Sequence, residues 1–159
     1  FGLAPHQIDV LIHPQSTIHS LVYYKDGSVL AQLGCADMRI PIAHGMAYPE
    51  RIESGAESLD LIAMGSLEFF EPDYKRFPCL KLGIDATRQG GTTPTLLNAA
   101  NEIAVAAFLG GQIKFIEIAE INEQVLSKIP CEPASSLAII RDADSLARNI
   151  TKELILKKN

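Results

Sequence analysis

The side chains able to do chemistry are few: four histidines, His6, His13, His19 and His44, and three cysteines, Cys35, Cys79 and Cys131. A metal site on a helix places two histidines four residues apart, and any zinc site needs imidazole, thiolate or carboxylate ligands that converge. No pair of these histidines has that spacing, and none has a carboxylate at ligand spacing, so a self-contained metal site is not expected. The cysteines are odd in number, widely separated and fit no zinc or redox pattern. They suit a reducing compartment, as small apolar residues, and the expected location is cytoplasmic. No nucleophile motif is present. No glycine-rich strand-to-helix turn offers a dinucleotide site, and Gly90-Gly91 and Gly110-Gly111 read as helix caps. The residues alone therefore assign no catalytic side chain and no metal ligand.

Two of the four histidines lie in the stretch from Ile8 to Tyr24, the densest β-branched and aromatic part of the chain. Residues 8–12 are short, apolar and β-branched, which predicts a mostly buried strand ended by Pro14, a residue that cannot donate to a ladder. Residues 17–24 alternate as a second strand, with Thr17, His19, Leu21 and Tyr23 on one face. Asp26-Gly27 supplies a tight turn, because both residues tolerate positive φ, and residues 28–33 return as the other half of an antiparallel hairpin. Sheet placement fixes the direction of His19 but not its job; a hydrogen-bonded structural histidine is the commoner outcome.

Beyond Gly34, residues 40–48 predict a helix with Pro41 in its first turn and Pro49 as its stop. Residues 49–74 carry Pro49, Gly55, Gly65 and Pro72 between brief apolar runs, which predicts a long connection with a short helical turn and a strand at 67–70. From Pro78 the pattern becomes helical. Pro78 and Gly90-Gly91 bracket one helix, Thr92-Thr93-Pro94 and Gly110-Gly111 a second, and residues 115–128 form a third with Ile118, Ile121, Val125 and Ile129 in one stripe. A fourth, from about 144 to 158, packs through Ala143, Ala147, Ile150 and Leu154. Short connections make these a four-helix bundle. On the second helix Thr95, Asn98, Asn101 and Glu102 share a face, either as a solvent stripe or as a buried polar network that docks the bundle against the domain that precedes it.

The expected fold class is thus α+β: an antiparallel sheet segment in residues 1–48, a linker at 49–74 and a helical bundle at 75–159. Hydrophobic residues at 47% and charged residues at 21% are those of a soluble globular chain. A net charge of -5 argues against nucleic acid as a partner, since phosphate tracking needs clustered lysine and arginine. No apolar run reaches the ~20 residues of a membrane span. The chain opens on Phe1 rather than methionine, with no signal or transit pattern before the first predicted strand, so it is expected to be part of a longer polypeptide.

Five ordered words carry a resemblance. Ile12-His13-Pro14-Gln15-Ser16-Thr17-Ile18-His19-Ser20, Asp26-Gly27-Ser28-Val29-Leu30-Ala31-Gln32-Leu33-Gly34 and Asp37-Met38-Arg39-Ile40-Pro41-Ile42-Ala43-His44 are similar to the 1-deoxy-D-xylulose 5-phosphate reductoisomerases. Arg76-Phe77-Pro78-Cys79-Leu80 and Leu97-Asn98-Ala99-Ala100-Asn101-Glu102 match the same family, and the likeness weakens after about Pro130. The resemblance implies an NADPH- and divalent-metal-dependent enzyme, using magnesium or manganese, that isomerises 1-deoxy-D-xylulose 5-phosphate and reduces the product to 2-C-methyl-D-erythritol 4-phosphate in non-mevalonate isoprenoid synthesis. The family's nucleotide-binding domain, metal carboxylates and most phosphate ligands lie upstream of Phe1, so this 159-residue chain is expected to be inactive alone.

By the same resemblance the hairpin belongs to the central catalytic and dimerisation domain, and the helices to the C-terminal domain. Met38 matches a methionine close to substrate and nicotinamide, and His19 a histidine near the active site; core packing is the competing reading for Met38. Ala36 stands beside them in a loop where the family reads Gly-Glu-Pro-Asp-Met-Arg. Cys35-Ala36 replaces Glu-Pro there, removing the ring that would stiffen the loop. The family's homodimer implies association through the hairpin region, and a non-catalytic structural or dimerisation module is the competing class.

Overall fold

The computed structural model describes residues 2–158, which divide into two compact units: residues 10–72, and residues 2–9 together with 73–158.

The first unit is built on an antiparallel pair, β1 (Ile18–Tyr23) and β2 (Val29–Leu33). Its turn is closed by Gly27 N donating to Tyr24 O at 3.1 Å and by the Asp26 carboxylate, which accepts from Ser28 N at 2.9 Å. Gly27 has φ 87°, the conformation for which the Asp-Gly pair is suited. Ile18 pairs with Leu33 but Ser20 with Gln32, so His19 is the extra residue of a β-bulge. The helix α1 (Arg39–Ala47) follows, and then α2 (Leu61–Met64), whose first turn is capped by the Asp60 carboxylate accepting from Ile62 N and Ala63 N.

Residues 8–12 are not the buried strand their composition predicts. Ile8, Val10, Leu11 and Ile12 are exposed, and only Ile12 pairs, with Phe70, through reciprocal N–H···O bonds of 2.9 Å. β-branched residues favour a pleated, half-buried surface, and among the described residues no strand is present to supply one. The strand expected at 67–70 reduces to that same bridge. Among the described residues of this unit only Thr17 is buried, so it has no apolar core of its own.

The second unit contains a 3-10 turn at Pro5–Gln7 and four helices, α3 (Pro78–Gln89), α4 (Thr93–Leu109), α5 (Phe115–Lys128) and α6 (Leu137–Leu156). Proline in the first turn starts α3 and α4, and Gly90 at φ 70° ends α3. Helix α4 lies at the centre. It buries Leu96, Ala99, Ala100, Ala104 and Ala107, and the four alanines let α5 and α6 approach closely. Against them pack Ile118, Ile121, Val125 and Ile129 at α5, and Ala147, Leu154 and Ile155 of α6. Helix α6 begins at Leu137, well before the expected start near Asp144, because the Ser136 hydroxyl accepts from Ile139 N and caps an earlier turn.

The polar stripe of α4 is part solvent-facing and part turned toward α5, within the helical unit. Exposed Asn98 donates to Glu102, which binds Arg148 of α6 at 2.7 Å, while Asn101 accepts from the buried Asn122 of α5 at 3.0 Å.

Candidate functional site

The bulge at His19 frees its residue from the ladder and re-aims its side chain. The ring Nε2 lies 3.2 Å from the Ser16 carbonyl, and Cε1 sits 3.9 Å from the position a side chain at Gly34 would occupy. Ile40 Cδ1 lies 3.7 Å from that same position, so His19, Gly34 and the start of α1 share one small region. Ser16 has φ 49°, unusual for a residue with a side chain, and it sets the direction of the carbonyl that meets the imidazole.

The loop from Gly34 to Met38 is held by its own charges. The Asp37 carboxylate accepts from Arg39 N at 2.8 Å and from Arg39 Nη2 at 2.6 Å, and Asp37 N donates to Cys35 O at 2.7 Å. The Arg39 guanidinium, then the Arg39 backbone N–H, holds the Asp37 carboxyl below its ordinary value. This fork fixes a loop that lacks the proline ring. Ala36 and Met38 both point outward, Met38 with 71% of its surface exposed, so core packing does not account for Met38 in this chain.

Two further imidazoles stand out. His13 Nδ1 lies 2.9 Å from the Glu68 carbonyl and its ring stacks on Phe69, yet Nε2 is buried without a partner. His44 packs edge-on to Tyr48, and its Nδ1 is likewise buried and unpartnered. Sequence reasoning missed the bulge, the Ser16 conformation and both orphaned nitrogens; only the positions of the histidines were visible. In the helical unit a cavity of about 360 Å³ is lined by Cys79, Thr87, Asn98, Asn101 and Asn122. Asn122 is 1% exposed and leaves Oδ1 unpartnered there.

Among the described residues no three His, Cys, Asp or Glu side chains gather in a way that could hold a metal ion. The carboxylate nearest the loop, Asp37, is already occupied by Arg39. The residues of this stretch do not by themselves fit a divalent cation.

A mixed chain with a small antiparallel hairpin and a helical C-terminal unit has counterparts among solved structures. One is the 1-deoxy-D-xylulose 5-phosphate reductoisomerase of Zymomonas mobilis in complex with NADPH, 48% identical with a TM-score of 0.83 over 92% of this chain and 39% of that one. Another is a DOX-P reductoisomerase in complex with NADPH, fosmidomycin and magnesium, 46% identical with a TM-score of 0.88 over 94% of this chain and 39% of that one. The chain belongs to the DXP reductoisomerase family: the model of the DXP reductoisomerase C-terminal domain matches residues 33–150. Relatives of that name from Cupriavidus necator and Dechloromonas aromatica are 57% and 55% identical, over 96% and 98% of this chain. The chain spans 39% of the length of each of those relatives. No helix among the described residues is long and apolar enough to cross a membrane.

Proposed function

We propose that this chain is one segment of an NADPH- and divalent-metal-dependent reductoisomerase that converts 1-deoxy-D-xylulose 5-phosphate to 2-C-methyl-D-erythritol 4-phosphate, and that the segment alone is inactive. The observation that carries this is the pairing of near-complete similarity along the chain with coverage of only 39% of its relatives. In this reading residues 1–48, with the hairpin, belong to the central catalytic and dimerisation domain, residues 49–74 are a linker, and residues 75–159 form the C-terminal four-helix bundle.

His19, Ala36 and Met38 then line the substrate and nicotinamide, contributing shape and a polar edge. The nicotinamide would supply hydride, and the metal would be held by carboxylates that this stretch does not contain. Support comes from the exposed Met38 on a loop fixed by Asp37 and Arg39, and from the bulge that sets His19 apart from the β1–β2 ladder. Three free cysteines fit a reducing, cytoplasmic setting. The hairpin unit also leaves Val22, Tyr23, Val29 and Leu30 exposed, which supports a dimer formed through this region.

The test follows NADPH oxidation with substrate and magnesium. The 159-residue chain is expected to give the no-protein blank, whereas a full-length family polypeptide carrying this segment turns over. Turnover by the segment alone overturns its assigned inactivity; a silent full-length protein overturns the enzyme reading.

A further inference from the structure

Helix α3 is the most loosely packed of the four: among its 12 residues only Ala86 is buried. Beside it the cavity of about 360 Å³ shares Cys79 and Asn101 with a groove of about 690 Å³, so the two adjoin. Phe77, Leu82, Val105 and Ile116 give that groove an apolar lining.

Three asparagines line the smaller cavity. Asn122 is 1% exposed, and its Nδ2 donates to Asn101 Oδ1 at 3.0 Å and to the Cys79 sulfur at 3.9 Å. That bond holds the Asn101 carboxamide by its oxygen and leaves its NH2 group over. Asn98 is fixed the other way round: its Nδ2 donates to Glu102 at 3.1 Å, which leaves its oxygen over. Asn122 Oδ1 is buried and has no partner among the described residues, so the cluster is short of hydrogen bonds. A single bridging water does not fill the cavity, since its share of liquid volume is about 30 Å³. Asn98 and Asn101 stand three apart on α4, on one face of the helix. They therefore offer one acceptor and one donor side by side. A residue in an extended chain turns its own N–H and C=O to the same side, the pattern by which neighbouring strands pair. Its N–H can meet Asn98 Oδ1 while its C=O meets the Asn101 NH2.

We propose that this depression binds an extended polypeptide segment, with the N–H and C=O of one residue read by Asn98 and Asn101 and its apolar side chain seated among Phe77, Leu82, Val105 and Ile116. The occupant is a stretch of the longer enzyme outside this chain, which spans 39% of the length of its relatives; this assignment rests on the reading of the chain as one segment of that enzyme. Two hydrogen bonds and one seated side chain make a weak site for a free peptide. Tethering within one polypeptide raises the local concentration to the millimolar range, where such a site fills.

The probe is N-acetyl-leucine N-methylamide, a single residue carrying both backbone groups, titrated into the isotopically labelled 159-residue chain. The side-chain NH2 resonances of Asn98, Asn101 and Asn122 are expected to shift saturably. The ester analogue, which lacks the leucine N–H, should bind about fivefold more weakly, the loss of one neutral hydrogen bond. In Asn98→Ala, a change at an exposed position, amide and ester should bind alike. No saturable shift, or an amide preference that survives in folded Asn98→Ala, overturns the site. Alkylation of Cys79 by iodoacetamide, read by peptide mass spectrometry, identifies the occupant. Cys79 lines both cavities and is exposed in this chain, and it should react about tenfold more slowly in a full-length family polypeptide carrying the segment. Equal rates overturn the assigned occupant, and protection that grows with the concentration of the 159-residue chain overturns it in favour of a second copy. Turnover of NADPH by the full-length protein is measured alongside. A protected Cys79 without turnover removes the enzyme reading and keeps the site, whereas turnover with an open Cys79 removes the occupant alone.

Discussion

Replacing Gly91 by alanine tests how α4 is started. Gly91 has φ 55°, which costs a residue with a side chain about 1–2 kcal/mol. The added methyl would lie 2.4 Å from the Glu132 carbonyl oxygen, a backbone atom that cannot swing aside. Making room parts residues 131–132 from the helix start and takes with it the two hydrogen bonds between Thr92 and Glu132. At about 1 kcal/mol each, these bring the expected loss to about 3–4 kcal/mol. Gly111→Ala is the control, because φ there is 72° but no atom lies within 4 Å of the added methyl. It should lose only the conformational part, about 1–2 kcal/mol. Denaturant unfolding followed by far-ultraviolet circular dichroism reads the helical unit directly. A Gly91→Ala loss no greater than that of Gly111→Ala would show that the contact with Glu132 is not rigid, and would refute the reasoning.

Met38→Ala in a full-length family enzyme carrying this segment should raise KM or lower kcat while stability changes by less than about 0.5 kcal/mol, as for an exposed site; a loss of about 2–5 kcal/mol would return Met38 to the core. Acid should weaken the helical unit in a defined window. The Glu102 carboxyl is lowered by the Arg148 guanidinium and then Asn98, and that of Glu117 by the Lys114 backbone N–H and then Lys158. Both bind protons less readily folded than unfolded, so their contribution is present above the ordinary value of 4.5 and lost as pH falls through the lowered ones. Glu102→Gln should flatten that decline; an unchanged slope counts against the Arg148 pairing. Leu30→Lys, on the exposed hairpin, should shift sedimentation toward monomer, and a wild-type chain already monomeric at micromolar concentration refutes association through β1 and β2.

The parts of the fold legible in the sequence were those with local punctuation. Pro78, Pro94 and the glycine pairs set the ends of α3 and α4, and the periodic isoleucines set the face of α5. Helix α6 was read late because its apolar stripe was followed from Ala143, whereas the Ser136 cap that decides its start is a single side chain. The segment 8–12 failed for a non-local reason: β-branched residues state a preference that only a partner strand can satisfy. The setting of His19 was illegible for the same reason, since a bulge is a property of two strands in register. Ser16 carries no signal of positive φ, because a residue of that type is seldom found there.

The clasp between residues 12–15 and 68–70 has a consequence for evolution by insertion. Ile12 pairs with Phe70, and the Gln15 amide spans to the Glu68 carboxylate and backbone N–H at 2.9 and 3.2 Å. These bonds bring together the two ends of a unit that interrupts the other in sequence, between residues 9 and 73. A guest segment whose termini meet imposes little extra chain entropy on its host, because the ring is closed by the guest's own hydrogen bonds. The helical host should therefore keep its fold while the guest varies in length between the clasped ends, and insertions and deletions are expected to be better tolerated in the stretch 49–66 than at 12–15 and 68–70.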